Sequence, residues 1–337
     1  MMAALLVTLL VAPPSAPARQ VQDRGQPQRQ LHGLVLKRNV QLVLVPVTVK
    51  DRHGRLLPAL TQKDFRIVVD GKETPVRYFS NEAASLAAVV MVDTGLSVSS
   101  VNTLRSALTD FQDDFLPGDF SEAYIFDNTI HRLLDFTSQP QLWVKALATA
   151  LPEGTGSGPM VLGGPLGGPT LKNGTPIDQP GTVPVGAPPV GKRMMDALYT
   201  ASLQLRDQPL ERRRVILIIS DGINGTDNDF SYQDVLQSLE RRGVSVYAVN
   251  FGLGWVLKKR DLLSRLAAET GGDESFVQRK NALEDACSRL MKEARSAYIL
   301  GFNPVSADGK LHRIEVRVSL RGARTIARRR FLAPAEK

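Results

Sequence analysis

The sequence predicts an α/β protein: a doubly wound, mostly parallel sheet with helices on both faces, joined to a smaller β-sandwich domain formed by both chain ends. Three observations predict it. The runs AAVVMV (87–92) and VILII (215–219) are wholly apolar and lead into Asp93 and into Ser220-Asp221. Continuous apolar strands of this kind belong to sheets covered on both faces. Between such strands apolar residues step by three and four, as at Val101, Leu104, Leu108, Phe111 and Phe115, which is helical spacing. The two ends of the chain carry short strand patterns instead, as at Ile314, Val316 and Val318.

In chain order, MMAALLVTLLVAPPSAPARQ opens with an apolar run, then prolines, then Ala16-Pro17-Ala18. It reads as a secretory signal peptide over residues 1–18, too short for a membrane span. The basic residues usual at the start of such a leader are missing. Residues 19–36 are polar and read as a flexible N-terminus. Residues 37–83 form the first part of the β-domain, with a strand over 41–51. Strands over 65–69 and 76–79 are expected to pair through a turn at Asp70-Gly71-Lys72. Residues 84–295 form the α/β domain. After the strand into Asp93 and its helix come a strand pair at 123–126 and 130–134 and helices over 141–151 and 196–205. The strand over 215–219 is followed by a helix over 232–242 and a strand over 244–251. A helix over 262–270 is closed by Gly271-Gly272, and a strand over 274–277 and a helix over 282–295 complete the domain. Residues 152–189 are Gly/Pro-rich and read as an extended, mobile insertion; no G-K-[ST] follows, so this is no phosphate loop. Residues 296–337 supply the rest of the β-domain, with strands over 297–302, 313–320 and 325–332.

Composition narrows the function classes. The chain has 337 residues, a net charge of +8 and one cysteine. Cys287 alone excludes an internal disulfide or a cysteine-based zinc site, and its apolar neighbours Leu283 and Leu290 mark a core thiol. His32, His53, His131 and His312 lack metal-ligand spacing and read as surface residues. The basic run Arg321, Arg324, Arg328, Arg329 and Arg330 reads as a solvated sheet edge. Only Phe331 lies near it, so the interleaved aromatics of a nucleic-acid binder are missing, and no specific nucleic-acid partner is expected.

The chemistry gathers at Asp93 and Asp221. In a doubly wound sheet both strand ends lie on one edge, where such sheets bind ligands. Hydroxyls flank them at Thr94, Ser97, Ser99 and Ser220, and carboxylate and hydroxyl oxygens suit a hard cation such as Mg²⁺ or Ca²⁺. On these residues the chain resembles the von Willebrand factor A (VWA) domain, the fold shared with integrin I domains, over roughly residues 86–295. The matching stretches are VVMVDTGLS, AYIFDNTIHRLLDFT, DALYTAS and VILIISDG. With the flanking LVPVTVKDRHGRLLPALTQKDFRIVVDGK and YILGFNP, the whole chain is similar to secreted bacterial VWFA-related proteins.

The resemblance implies a metal-ion-dependent adhesion site built from D-x-S-x-S, a distant Thr and a distant Asp. Asp93 matches the first Asp, Ser97 the second Ser and Asp221 the last Asp. Two positions depart from the pattern. Gly95 stands in place of the first Ser, and Lys192 stands where the Thr is expected, four residues before Asp196. The metal site is therefore degenerate. It either holds Mg²⁺ or another divalent cation weakly, with Thr170, Thr175 or Thr182 as substitute ligand, or it holds none, with Lys192 as internal cation. An exposed lysine at a helix start is the bland alternative.

Two enzyme readings compete. Val92-Asp93-Thr94-Gly95 looks like the D-T-G of aspartic proteases, but no second D-T-G exists and the flanks are helical. Asp93 with Asp221 and Asp227 looks like a Mg-dependent phosphohydrolase of the haloacid-dehalogenase type, but Gly95 stands where the acid/base Asp belongs. The expected function is thus non-enzymatic binding of a protein or extracellular matrix ligand, through a carboxylate of that partner. The binding face holds Thr94, Gly95, Lys192, Ser220 and Gly222 beside Asp93, Ser97 and Asp221. The expected location is secreted, periplasmic or cell envelope, with no transmembrane helix after leader removal.

Overall fold

The computed structural model describes residues 42–96, 98–151, 171–172, 175–176, 191–209, 211–251, 262–277 and 280–335. The expected leader, the polar tail and most of the 152–189 insertion lie outside the described residues.

The chain enters through strands β1 (Val43–Lys50), β2 (Phe65–Val69), β3 (Lys72–Thr74) and β4 (Tyr78–Ser80). The α/β body follows: β5 (Leu86–Asp93), α1 (Val98–Phe111), β6 (Phe120–Phe126), β7 (Ile130–Thr137) and α2 (Pro140–Ala150). Within the insertion, Leu171–Lys172 (β8) and Thr175–Pro176 (β9) pair as a minimal hairpin. The body continues with α3 (Met194–Gln204), β10 (Arg213–Ser220), α4 (Tyr232–Arg242), β11 (Ser245–Phe251), α5 (Leu262–Thr270), β12 (Glu274–Val277) and α6 (Lys280–Ser296). Strands β13 (Tyr298–Phe302), β14 (Leu311–Val318), β15 (Arg324–Ala327) and β16 (Arg330–Leu332) complete the chain.

The central sheet has the order β12-β11-β10-β5-β6-β7, parallel throughout except for β7 at the edge. Every residue of β5 is buried, because alternate side chains serve two cores. Ala88, Val90 and Val92 pack with α1, α2 and α6, whereas Ala87, Val89 and Met91 pack with α3, α4 and α5. A two-sided strand has no polar face to offer, which is why its sequence is a continuous apolar run. Full burial of a side chain such as Leu104 contributes about 2 kcal/mol. Helix α4 shows how local sequence sets element ends. Ser231 and Asp234 form a capping box at its start, and Gly243, at φ 64°, closes it in the left-handed conformation.

The two chain ends build a β-sandwich. One sheet runs β15-β1-β13-β4 and the other β16-β14-β2-β3, all antiparallel, around Val45, Val47, Ile67, Phe302 and Phe331. Two expectations are corrected here. The partner of β2 in its hairpin is β3, not residues 76–79. Pro75 has no N–H to continue the ladder, so the chain crosses over, Arg77 N–H donates to Gly301 O, and β4 joins β13 in the opposite sheet. The strand expected over 325–332 is two strands in different sheets. Arg329 N–H donates to Glu269 O at the break, which carries the chain from β1 to β14.

Polar clamps fasten the sandwich to the α/β body. Lys50, buried on β1, pairs with Asp273 and, at 2.6 Å, with Glu293 on α6. Arg330 on β16 pairs with Glu240 on α4 at 2.7 Å, so this member of the basic run is anchored rather than solvated. Cys287 is buried as expected, and burial pushes its thiol up from the ordinary range. His53 and His131 are exposed, and His32 lies outside the described residues. His312 is partly exposed and paired with two aspartates: Nδ1 lies 2.7 Å from Asp70 Oδ2 and Nε2 lies 3.0 Å from Asp308 Oδ1.

Candidate functional site

Strands β5 and β10 are parallel neighbours with Val92 opposite Ile219, so Asp93 and Asp221 emerge at the same end of the sheet. Between them lies Lys192, two residues ahead of α3. Its Nζ is 2.8 Å from Asp93 Oδ2 and 2.7 Å from Asp221 Oδ1. Asp93 is 0% exposed, and Lys192 and Asp221 are 7% and 6% exposed. This is a buried ion triad, not an exposed lysine at a helix start.

The other polar groups finish the arrangement. Ser220 Oγ donates to Asp93 Oδ2 at 2.6 Å, and Gly95 N–H donates to Asp93 Oδ1 at 2.9 Å. Ile223 N–H donates to Asp221 Oδ1 at 3.0 Å, and Gly222 N–H, at φ 75°, donates to Ser220 Oγ at 3.1 Å. Thr94 turns away from the triad: its N–H and hydroxyl both donate to Phe126 O on β6. Ser97 lies outside the described residues. Burial raises the Asp93 carboxyl above its ordinary range, and the Lys192 ammonium pulls it back.

The two departures from the adhesion-site pattern are physically linked. A Cβ on residue 95 would stand 3.0 Å from Lys192 Cε and 3.2 Å from Asp93 Oδ1. A serine there would press on the lysine stem, so glycine accompanies lysine. A divalent cation needs oxygen donors converging on an open position. Here an ammonium bridges the two carboxylates and residue 95 brings no hydroxyl. The residues present do not fit a divalent cation. Among the described residues, no group of three or more Asp, Glu, His or Cys side chains is arranged to hold a metal.

Sequence reading missed the frame that holds Lys192 in place. Gly225 N–H donates to Lys192 O at 2.7 Å and Arg193 N–H to Asp127 O at 2.7 Å. Asn228 Nδ2 also donates to Lys192 O, and Asp196 accepts from the N–H groups of Asp229 and Phe230. The turn-forming run after Asp221, with Asn224, Gly225, Asn228 and Asp229, is the signal that could have found it. Glu122 was also missed, although a lone Glu in the apolar run SEAYIF is conspicuous. Its side chain is wholly buried on β6, neither oxygen accepts a hydrogen bond, and burial pushes its carboxyl up to about 7. Arg132 Nε, at 3.7 Å, offsets this only in part.

The strand order, the helices on both faces and the acid-ended neighbours β5 and β10 make this a doubly wound α/β fold carrying an antiparallel β-sandwich, the architecture that the VWA resemblance implies. No protein-family model and no curated protein matches the chain. Similar solved structures include a von Willebrand factor type A protein from Catenulispora acidiphila, at 10% identity and TM-score 0.44, covering 88% of this chain and 75% of that one. The protein BatB from Bacteroides thetaiotaomicron is similar at 13% identity and TM-score 0.41, covering 62% and 98%. Proximal thread matrix protein 1 from the mussel byssus is similar at 11% identity and TM-score 0.44, covering 64% of this chain and 49% of that one, about half its length. That mussel protein is also known with zinc in its MIDAS motif. No helix among the described residues is long and apolar enough to cross a membrane.

Proposed function

We propose that this protein is a non-enzymatic binding module that works outside the cytoplasm and engages a protein or matrix ligand without a metal ion. The carrying observation is Lys192 Nζ, placed 2.7 and 2.8 Å from the two carboxylates that a cation would otherwise bridge. Two carboxylates and one ammonium leave the triad one charge negative. A partner carboxylate would meet no Lewis acid there, so recognition falls on the surrounding face formed by the loops after β5 and β10 rather than on carboxylate capture. The extracytoplasmic placement rests on the leader-like residues 1–18.

The enzyme readings draw little support from this geometry. A nucleophilic Asp93 would need an open approach, yet it is wholly buried, and its oxygens are held by Gly95, Ser220 and Lys192. The test combines calorimetric titration with Mg²⁺ and Mn²⁺ and a pull-down from the secreted or envelope fraction, run with and without EDTA. No heat at millimolar metal and an EDTA-insensitive partner are expected. Stoichiometric metal uptake by the wild type would overturn the proposal.

A further inference from the structure

The same triad carries the elements of a covalent cross-link. Resting on the reading that Lys192 occupies the cation position, we propose that Lys192 Nζ and Asp93 Cγ condense into an intramolecular isopeptide bond between the segment leading into α3 and the end of β5. Three features single out this pair. Lys192 Nζ lies in a buried position 2.8 Å from Oδ2 of the carboxyl it would attack. The acceptor carbonyl is polarised, since Gly95 N–H lies 2.9 Å from Asp93 Oδ1, where negative charge develops during attack. A second carboxylate, Asp221, lies 2.7 Å from the same nitrogen and can carry a proton.

The chemistry balances without an oxidant or co-reactant. One ammonium proton passes to Asp93 Oδ2, leaving an amine and a carboxylic acid, a neutral pair that burial favours over separated charges. The amine lone pair attacks Cγ, and the new C–N bond forms as charge gathers on Oδ1. Asp221 takes a second proton from nitrogen and returns it to Oδ2, the C–Oδ2 bond breaks, and Oδ2 departs as water. The third proton stays on the amide nitrogen. Asp221 is the proton carrier and Asp93 the acceptor, because the Gly95 N–H sits on the Asp93 oxygen turned away from Lys192, whereas the Ile223 N–H sits on the Asp221 oxygen that faces it.

Intact-mass spectrometry of the folded, purified protein tests this. The mass is expected to fall about 18 Da below that of the sequence from its measured N-terminus, one water per amide formed. In a tryptic digest, acylated Lys192 resists cleavage, so the peptide spanning 78–105 should appear joined to that spanning 173–193. Lys192→Arg should restore the sequence mass, and Asp221→Ala should leave the two peptides separate. An unshifted wild-type mass, or Lys192 joined to Asp221, overturns the bond. An unshifted mass in a protein that takes up no Mg²⁺ overturns the bond alone, whereas Mg²⁺ uptake overturns the reading beneath it.

Discussion

Replacing Lys192 with methionine keeps most of the side-chain volume and removes the charge. Asp93 is wholly buried and Asp221 nearly so, and the substitution leaves two like charges facing one another without their shared cation. Measured against wild type in which the Lys192–Asp93 amide has not formed, removing one partner of a buried ion pair costs about 3–5 kcal/mol. For a domain of this size about 1 kcal/mol moves Tm by roughly 2–4 °C, so scanning calorimetry at pH 7 should show a fall of about 6–20 °C. Added salt should change this little, because buried charges are poorly screened. The pH dependence has a definite sign. Burial holds the folded Asp93 carboxyl above its unfolded value, and without Lys192 nothing pulls it back, so the folded variant binds more protons than the unfolded one over that interval. The variant therefore regains stability as pH falls from neutrality toward the unfolded carboxylate range near ~4. Adding Asp93→Asn and Asp221→Asn should recover part of the loss at pH 7. A loss below about 1 kcal/mol, or one unchanged at pH 4, would refute the buried-triad reasoning.

Gly95→Ser should cost about 1–2 kcal/mol in urea unfolding, since its Cβ meets Lys192 Cε at 3.0 Å. The cost should vanish in a Lys192→Thr background, and an equal cost in both backgrounds would contradict the coupling. Glu122 titrates at about 7 in the fold, above its ordinary value, so the native state holds an extra proton between about 4.5 and 7 and stability drains away as pH rises through that window. Glu122→Gln should flatten this slope and gain roughly 2–4 kcal/mol relative to wild type between pH 4 and pH 8; parallel pH–stability curves for the two proteins would count against it. His312 has a raised folded pKa because Asp308 and Asp70 hold its protonated form. Its contribution is therefore full below the unfolded imidazole value of ~6.5 and is lost as pH rises through the folded one. His312→Gln should abolish that loss, as read from Tm across pH 5.5–8.5 at intervals of about half a unit.

The α/β body was legible because its strands carry two-sided apolar runs and its helices a clear period: residues 232–242, 262–270 and 274–277 coincide with α4, α5 and β12. The β-sandwich was legible as a kind of structure but not as a pairing scheme. Which sheet a three-residue strand such as β4 joins is decided by partners more than two hundred residues away, and nothing in YFS encodes that. At the candidate site, both aspartates could be named from the ends of their apolar strands, and Lys192 from the family resemblance. The closure of the triad could not, because it depends on where the stem of Lys192 runs, and that is fixed by Asn228, Gly225 and Asp127 gripping the backbone on either side. Glu122 and the His312 cluster escaped for a related reason: burial and proximity are three-dimensional facts that a single letter in a strand pattern does not carry.

The sandwich made from both ends also determines how the molecule would transmit force. The described chain enters at β1 and leaves at β16, and the whole α/β body departs from β4 and returns at β13. Tension applied at the two ends is therefore borne first by the antiparallel ladders of the sandwich. The α/β body hangs from this frame as a side branch. A ligand held on the loops after β5 and β10 would pull on that branch by itself. Stretching the backbone from end to end would leave the ends of β5 and β10 in their relaxed geometry until the sandwich gave way.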